Sequence, residues 1–145
     1  AVAGYESSTF GRMDVNQVSA RYSNKKANIK EKVILLKLSD TFRYNLEAHE
    51  LYDITRGIWR IASDKRKILT HAFAVYDGII QETYKIEAWF KSDKTFSSID
   101  TSKWKKEGRY EFVGNICELM RKQYRYRSVE HYYPDKAQNP IRYTF

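Results

Sequence analysis

Leu69-Thr70-His71-Ala72-Phe73-Ala74-Val75-Tyr76, then Asp77-Gly78, then Ile79-Ile80-Gln81-Glu82-Thr83-Tyr84-Lys85-Ile86 is the stretch on which the fold class turns. Both flanking runs are rich in β-branched and aromatic residues, which suit a pleated, half-buried surface. The Asp-Gly pair supplies the consecutive positive φ angles of a two-residue turn whose twist matches that of antiparallel strands. The spacing predicts a β-hairpin, with its second strand extending towards Trp89 and Phe90.

Upstream, Val33-Ile34-Leu35-Leu36-Lys37-Leu38 is an apolar run of strand length that ends in Ser39-Asp40 turn chemistry, and it reads as a buried strand. From Leu46 to Arg56 the apolar residues fall at helical spacing and Gly57 follows as a stop, so a helix is expected there. Ile58-Trp59-Arg60-Ile61 alternates briefly before a charged loop, Ser63-Asp64-Lys65-Arg66-Lys67. Residues 1–31 read as an arm or docking segment outside the main core, with Asp14 placed to cap a short helix as far as Tyr22.

Downstream, residues 91–108 are polar and read as a long connection, a length that is uncommon unless functional. Arg109 to Gly114 predicts a strand and Ile116 to Tyr124 a helix. Ser128 to Tyr133 predicts a strand stopped by Pro134, and Asn139-Pro140 a turn before a last strand, Ile141 to Phe145. The expected organisation is an arm (residues 1–31) and one α+β domain (residues 32–145), mainly antiparallel, with two or three helices.

The chain has 145 residues, enough for one core that buries roughly 68% of the unfolded surface. No apolar run resembles a leader or approaches the roughly 18 residues of a membrane span, so no membrane association is expected. Cys117 is the single cysteine, which excludes an internal disulfide and a cysteine-cluster zinc site and fits a reducing, cytoplasmic location. The formal charge is +8 and is uneven: residues 1–31 carry five Lys/Arg and three Asp/Glu, residues 32–100 eleven and ten, residues 101–145 ten and five. An excess of this kind is the footprint of a polyanion partner, although a small domain also carries a few net charges for solubility.

Two basic stretches are candidates for phosphate contacts. Arg56, Arg60, Arg66 and Lys67 surround Trp59, and the planar guanidinium fork matches phosphate geometry. Lys103, Lys105 and Lys106 lead towards Tyr124-Arg125-Tyr126-Arg127, which places rings on one side and cations on the other if extended. The competing reading of both is a solvated surface with packed aromatics. Trp59, Trp89 and Trp104 are candidates for base stacking, against the ordinary role of tryptophan as core; Trp104, among lysines, is the best placed for an exposed contact.

Catalytic signals are weak. His49, His71 and His131 have no metal-ligand spacing, and His49-Glu50 lacks a second histidine at position 53, which is Asp53. Asp77, Glu82, Lys85 and Glu87 superficially suit a metal-dependent nuclease, but the turn explains Asp77, and alternation sends Glu82 and Lys85 to opposite faces. Cys117 reads as a small buried residue. No catalytic residue, metal or cofactor is assigned.

Glu50-Leu51-Tyr52-Asp53-Ile54-Thr55-Arg56-Gly57-Ile58-Trp59-Arg60, Ala72-Phe73-Ala74-Val75-Tyr76-Asp77-Gly78-Ile79-Ile80, Glu111-Phe112-Val113-Gly114 and Asn139-Pro140-Ile141-Arg142-Tyr143 together resemble a poorly characterised family of small bacterial and phage proteins, over roughly residues 32–145. The likeness brings no established activity. More loosely, the order of elements resembles PUA-like barrels of the EVE and ASCH type, which bind modified bases or RNA beside the barrel. That resemblance implies a barrel-like sheet and a pocket near Trp59, Tyr76, Trp89 and the 91–108 loop.

The first functional expectation is therefore a DNA- or RNA-binding domain, with Arg56, Arg60, Arg66, Lys67, Lys103, Lys105, Arg125 and Arg127 on phosphates and a tryptophan on a modified or unstacked base. A small enzyme acting on nucleic acid or nucleotide (a nuclease or an NAD-using transferase) is the second. A phage or bacterial defence-related module that docks a protein through residues 1–31 is the third.

Overall fold

A computed structural model describes residues 25–39, 41–98, 100–102, 104, 106–134 and 139–145. The elements are β1 (Val33–Lys37), α1 (Ala48–Arg56), α2 (Ser63–Ile68), β2 (His71–Tyr76), β3 (Ile79–Lys91), β4 (Tyr110–Ile116), α3 (Glu118–Tyr124), a 3₁₀ turn (Glu130–Tyr132) and β5 (Ile141–Tyr143). They form an α+β domain around a five-stranded mixed sheet of order β4-β3-β2-β1-β5.

The hairpin forms as the sequence predicts. Asp77 and Gly78 take φ of 53° and 75°, the positive angles of the two-residue turn. Strand β3 runs on to Lys91 and pairs with β4 over its second half, from Tyr84 opposite Ile116 to Lys91 opposite Tyr110.

Strand β1 lies parallel to β2, with Val33 opposite His71 and Lys37 opposite Val75. A parallel pair needs a long crossover, and residues 38–70 supply one containing α1 and α2. The other three pairings are antiparallel. The expected barrel does not form: β4 and the three-residue β5 stand at opposite edges, and the sheet stays open.

Both faces of the sheet are covered, which is why β1 is apolar throughout rather than alternating. On one face Ile34, Leu36, Ala72, Ala74, Tyr84 and Phe112 pack with Leu51 and Ile54 of α1 and with Ile61 and Leu69. On the other, Val33, Leu35, Phe73, Val75 and Ile80 pack with Met120 and Tyr124 of α3, Val129, Ala27 and Ile29. Residues 25–31 thus belong to this second layer, and Ala27 donates its backbone N–H to Ser128 at 2.8 Å. The expected helix at residues 14–22 lies outside the described residues.

Three local expectations are corrected. The charged segment at Ser63 folds as α2, with Arg66 donating to the Ile61 carbonyl. Residues 128–133 make isolated bridges at Ser128 and then a 3₁₀ turn instead of a strand. Gly57 ends α1 in an extended conformation, where the need is space: a side-chain carbon there would meet Glu111 Cβ at 3.0 Å.

Candidate nucleic-acid interface

The loop end of the β3–β4 hairpin gathers cations from three chain segments. Trp59 pairs with Tyr110 by two backbone hydrogen bonds, of 2.9 and 2.8 Å, which lays Ile58–Arg60 along the outer edge of β4. Arg60 then reaches Gly108, where a side-chain carbon would stand 3.4 Å from its Nη1. Ser92 extends the ladder by donating to the Arg109 carbonyl at 3.0 Å, and its hydroxyl donates to Lys106 O at 2.6 Å. Asp93 and Gly108, at φ of 68° and 69°, turn the chain away on either side.

The result is two adjoining open clefts of about 610 and 550 Å³ that share Lys106, Glu107 and Gly108. Lys91, Lys94 and Arg109 line the first and Arg60 the second, so five cations surround them against two carboxylates, Asp93 and Glu107. One carboxylate is already used, since Lys106 Nζ lies 3.3 Å from Asp93. Arg66 is half-buried beside this end, its guanidinium 3.6 Å from the centre of the Tyr110 ring. Buried Arg109 Nε has no hydrogen-bond partner among the described residues.

Behind the clefts is a buried ionic cage. Arg56, 4% exposed, donates from Nε to Asp53 Oδ1 at 2.8 Å and from Nη1 to Glu111 Oε2 at 3.4 Å. It also donates to Thr95 Oγ1 and to the Phe96 carbonyl. Glu111 accepts from the backbone N–H of Asp93 at 2.6 Å and of Thr95 at 3.0 Å, and Asp53 from that of Ser98 at 2.9 Å. Burial raises the Asp53 pKa, but the Arg56 guanidinium and the Ser98 hydroxyl and amide outweigh it and hold the carboxyl below its ordinary 3.8. A cavity of about 20 Å³ remains between Asp53, Arg56, Glu111 and Trp104, room for about one water.

The structure therefore separates the residues that sequence grouped. Arg56 is locked inside the cage and faces no solvent, while Arg60 and Lys67 are exposed. Tyr124-Arg125-Tyr126-Arg127 is not an extended strand: Tyr124 ends α3 in the core, and Tyr126 has φ 68°. Arg125 turns towards Glu82, with Nη2 3.7 Å from the carboxylate and Nε donating to Gln81 O at 2.9 Å. Arg121 joins the same carboxylate at 3.2 Å, in an ion pair not aligned as a hydrogen bond. Arg127 is exposed. Glu82 and Lys91 are nine residues apart on β3, roughly 30 Å of strand, so the two basic groups are separate patches. Lys103 and Lys105 lie outside the described residues.

Two tryptophans are partly buried and pack against the core. Trp59 Nε1 donates to Thr55 O at 2.7 Å, and Trp89 meets Phe112 edge-on at 5.5 Å. Trp104 is half-buried and lines the small cavity of the cage. Tyr76 packs on Phe42 at 4.6 Å at the far end of β3, ten residues of strand from Trp89, so the pocket implied by the PUA resemblance does not assemble. Sequence reading missed Lys91, Lys94, Arg109 and Phe96. The first opens the 91–108 connection and the third follows it, and they meet only because its ends close.

Other groupings offer less. Glu82 is neutralised by two arginines, and Asp77 is in the turn, so the hairpin acids do not converge. Glu47, His49 and Glu50 bring ligand atoms within 4.8 Å of one another at the start of α1. Glu47 and Glu50 already cap that helix reciprocally. Among the described residues no helix is long and apolar enough to cross a membrane. No family model matches the chain, and no curated protein or solved structure matches it.

Proposed function

We propose that this domain binds DNA or RNA through the loop end of the β3–β4 hairpin and that it reads a strand with an unstacked base. The observation that carries the reading is the convergence of Arg60, Lys91, Lys94, Lys106 and Arg109 around two adjoining clefts that, among the described residues, two carboxylates line. Lysine and arginine held around an open groove displace the counterions condensed on the phosphates they neutralise, which supplies affinity without base specificity. Arg66 and Lys67 on α2 extend the positive surface beside Tyr110. Trp104, which is half-buried and lines the small cavity of the cage, is the tryptophan best placed to meet a base.

Anisotropy titrations of labelled single-stranded DNA, single-stranded RNA and duplex DNA over a range of salt test this reading. The expected result is a linear fall of log K with log salt, with a slope of about −0.7 per phosphate contacted on single strands and about −0.9 on duplex. Arg60→Ala with Lys91→Ala should weaken binding and flatten the slope by about two contacts. Salt-independent binding, or none to any of the three, overturns the proposal.

A further inference from the structure

Phe96 is 86% exposed, the most exposed large apolar side chain among the described residues. Its backbone is the opposite of free. The Phe96 carbonyl accepts from Arg56, the preceding Thr95 gives its N–H and hydroxyl to Glu111, and Ser98 gives its N–H and hydroxyl to Asp53. Residues on both sides of the ring are thus fixed to three charges that the fold has buried at a desolvation cost. A connection with no task could turn such a ring inward, or hold itself with neutral contacts. Here the buried charges hold the backbone and leave the ring in water.

Phe96 is two residues along the chain from Lys94, which lines the cleft with Lys91, Lys106 and Arg109. A rigid aromatic face beside phosphate-pairing cations is the arrangement that captures an unpaired base. Preorganisation of the loop removes the ordering cost that a mobile phenylalanine would add on binding. We propose that Phe96 is a base-stacking residue, presented by the Asp53–Arg56–Glu111 cage to a nucleic-acid strand whose phosphates lie along the hairpin cations. It rests on the nucleic-acid reading above and adds the residue that meets the base.

The test compares wild type, Phe96→Ala, Phe96→Leu and Phe96→Tyr on single-stranded DNA, single-stranded RNA and duplex, one single-stranded DNA carrying 2-aminopurine. Phe96→Ala should weaken single-strand binding roughly 5- to 150-fold, lose the quenching of 2-aminopurine, and leave the salt slope unchanged because no charge is removed. Phe96→Tyr should retain binding, and Phe96→Leu should not restore it. The thermal midpoint of each variant should match wild type, since the ring is exposed. Intact wild-type binding with no effect of Phe96→Ala overturns the stacking role alone. Absence of salt-dependent binding by wild type removes the underlying reading, and this one with it. Equal loss for Phe96→Tyr and Phe96→Ala also counts against stacking.

Discussion

Arg56 and Glu111, fifty-five positions apart in sequence, form a buried ion pair at 3.4 Å, and Asp53 holds the same guanidinium at 2.8 Å. One cation between two buried carboxylates leaves the cage dependent on it. Arg56→Met is expected to destabilise the domain by about 3–5 kcal/mol, because both carboxylates lose their charge partner. Urea unfolding measures the loss, and hydrogen exchange should show the Thr95 and Ser98 amides becoming less protected. A change below about 1 kcal/mol with unaltered exchange would show that the loop does not depend on the cage.

The same cage sets an acid limit. Asp53 titrates below its ordinary 3.8 in the folded state. A depressed folded pKa gives stability that is full above the unfolded value and is lost as pH falls through the folded one. Below about pH 4 the domain should therefore weaken, and Asp53→Asn should remove part of that dependence at some cost in stability at neutral pH. Unfolding free energies across the acid range check both points.

Legibility followed the range of the interactions. The Asp77-Gly78 turn, β1 and α1 were visible because each is set by neighbouring residues: positive φ at a glycine, an unbroken apolar run, apolar spacing of three and four. The parallel pairing of β1 with β2 was not, since it depends on residues 38–70 carrying the chain back to the end of the sheet where β1 begins. In sequence Arg56 reads as a phosphate ligand, because a basic residue at a helix end normally faces water. Its partner Glu111 is on β4, and nothing near Arg56 in sequence announces it. Nothing near Phe96 in sequence marks it either, since its exposure depends on distant carboxylates that hold its backbone.

His71 should give the domain a second pH dependence. Burial, with a smaller contribution from Lys85, pushes its pKa below 6.5, against the pull of Glu31. The folded state thus resists the proton that the unfolded chain accepts. Stability should be full above about pH 6.5 and fall as pH drops through 6.5 towards the lower folded value. Chemical denaturation of wild type and His71→Gln tests it; the variant should show a flatter profile between about pH 5.5 and 7.5. A profile steeper in the variant would contradict the assignment.

The two basic patches should answer differently to neutralisation. Arg125 and Arg121 balance Glu82, which is 4% exposed. Arg125→Ala should cost about 1–3 kcal/mol in stability by half-unpairing that carboxylate, and it should leave the salt slope of binding nearly unchanged. Arg60, exposed at the cleft, should show the reverse: stability within about 0.5 kcal/mol of wild type and a slope reduced by about one contact. Parallel melts and salt titrations of the two variants decide it. Equal effects on the slope would mean that both patches meet the same strand.

Gly114 and Gly108 test how the hairpin end is built. At Gly114, opposite the bulge between Ile86 and Ala88, a side-chain carbon would meet the Lys85 carbonyl oxygen at 2.0 Å. Its N–H is also held by Tyr52 Oη at 3.0 Å, which ties β4 to α1. Backbone cannot yield there as a side chain can, so Gly114→Ala should cost about 2–4 kcal/mol and loosen the strands that carry Lys91 and Arg109. At Gly108 the obstacle is conformational, a φ of 69°, and the nearest atom is the flexible Arg60 guanidinium at 3.4 Å. Gly108→Ala should cost only about 1–2 kcal/mol. Thermal and urea unfolding rank the two, and the order should carry over to nucleic-acid affinity at fixed salt. A larger loss at Gly108 would mean that the turn, rather than the close approach at the bulge, holds the hairpin end together.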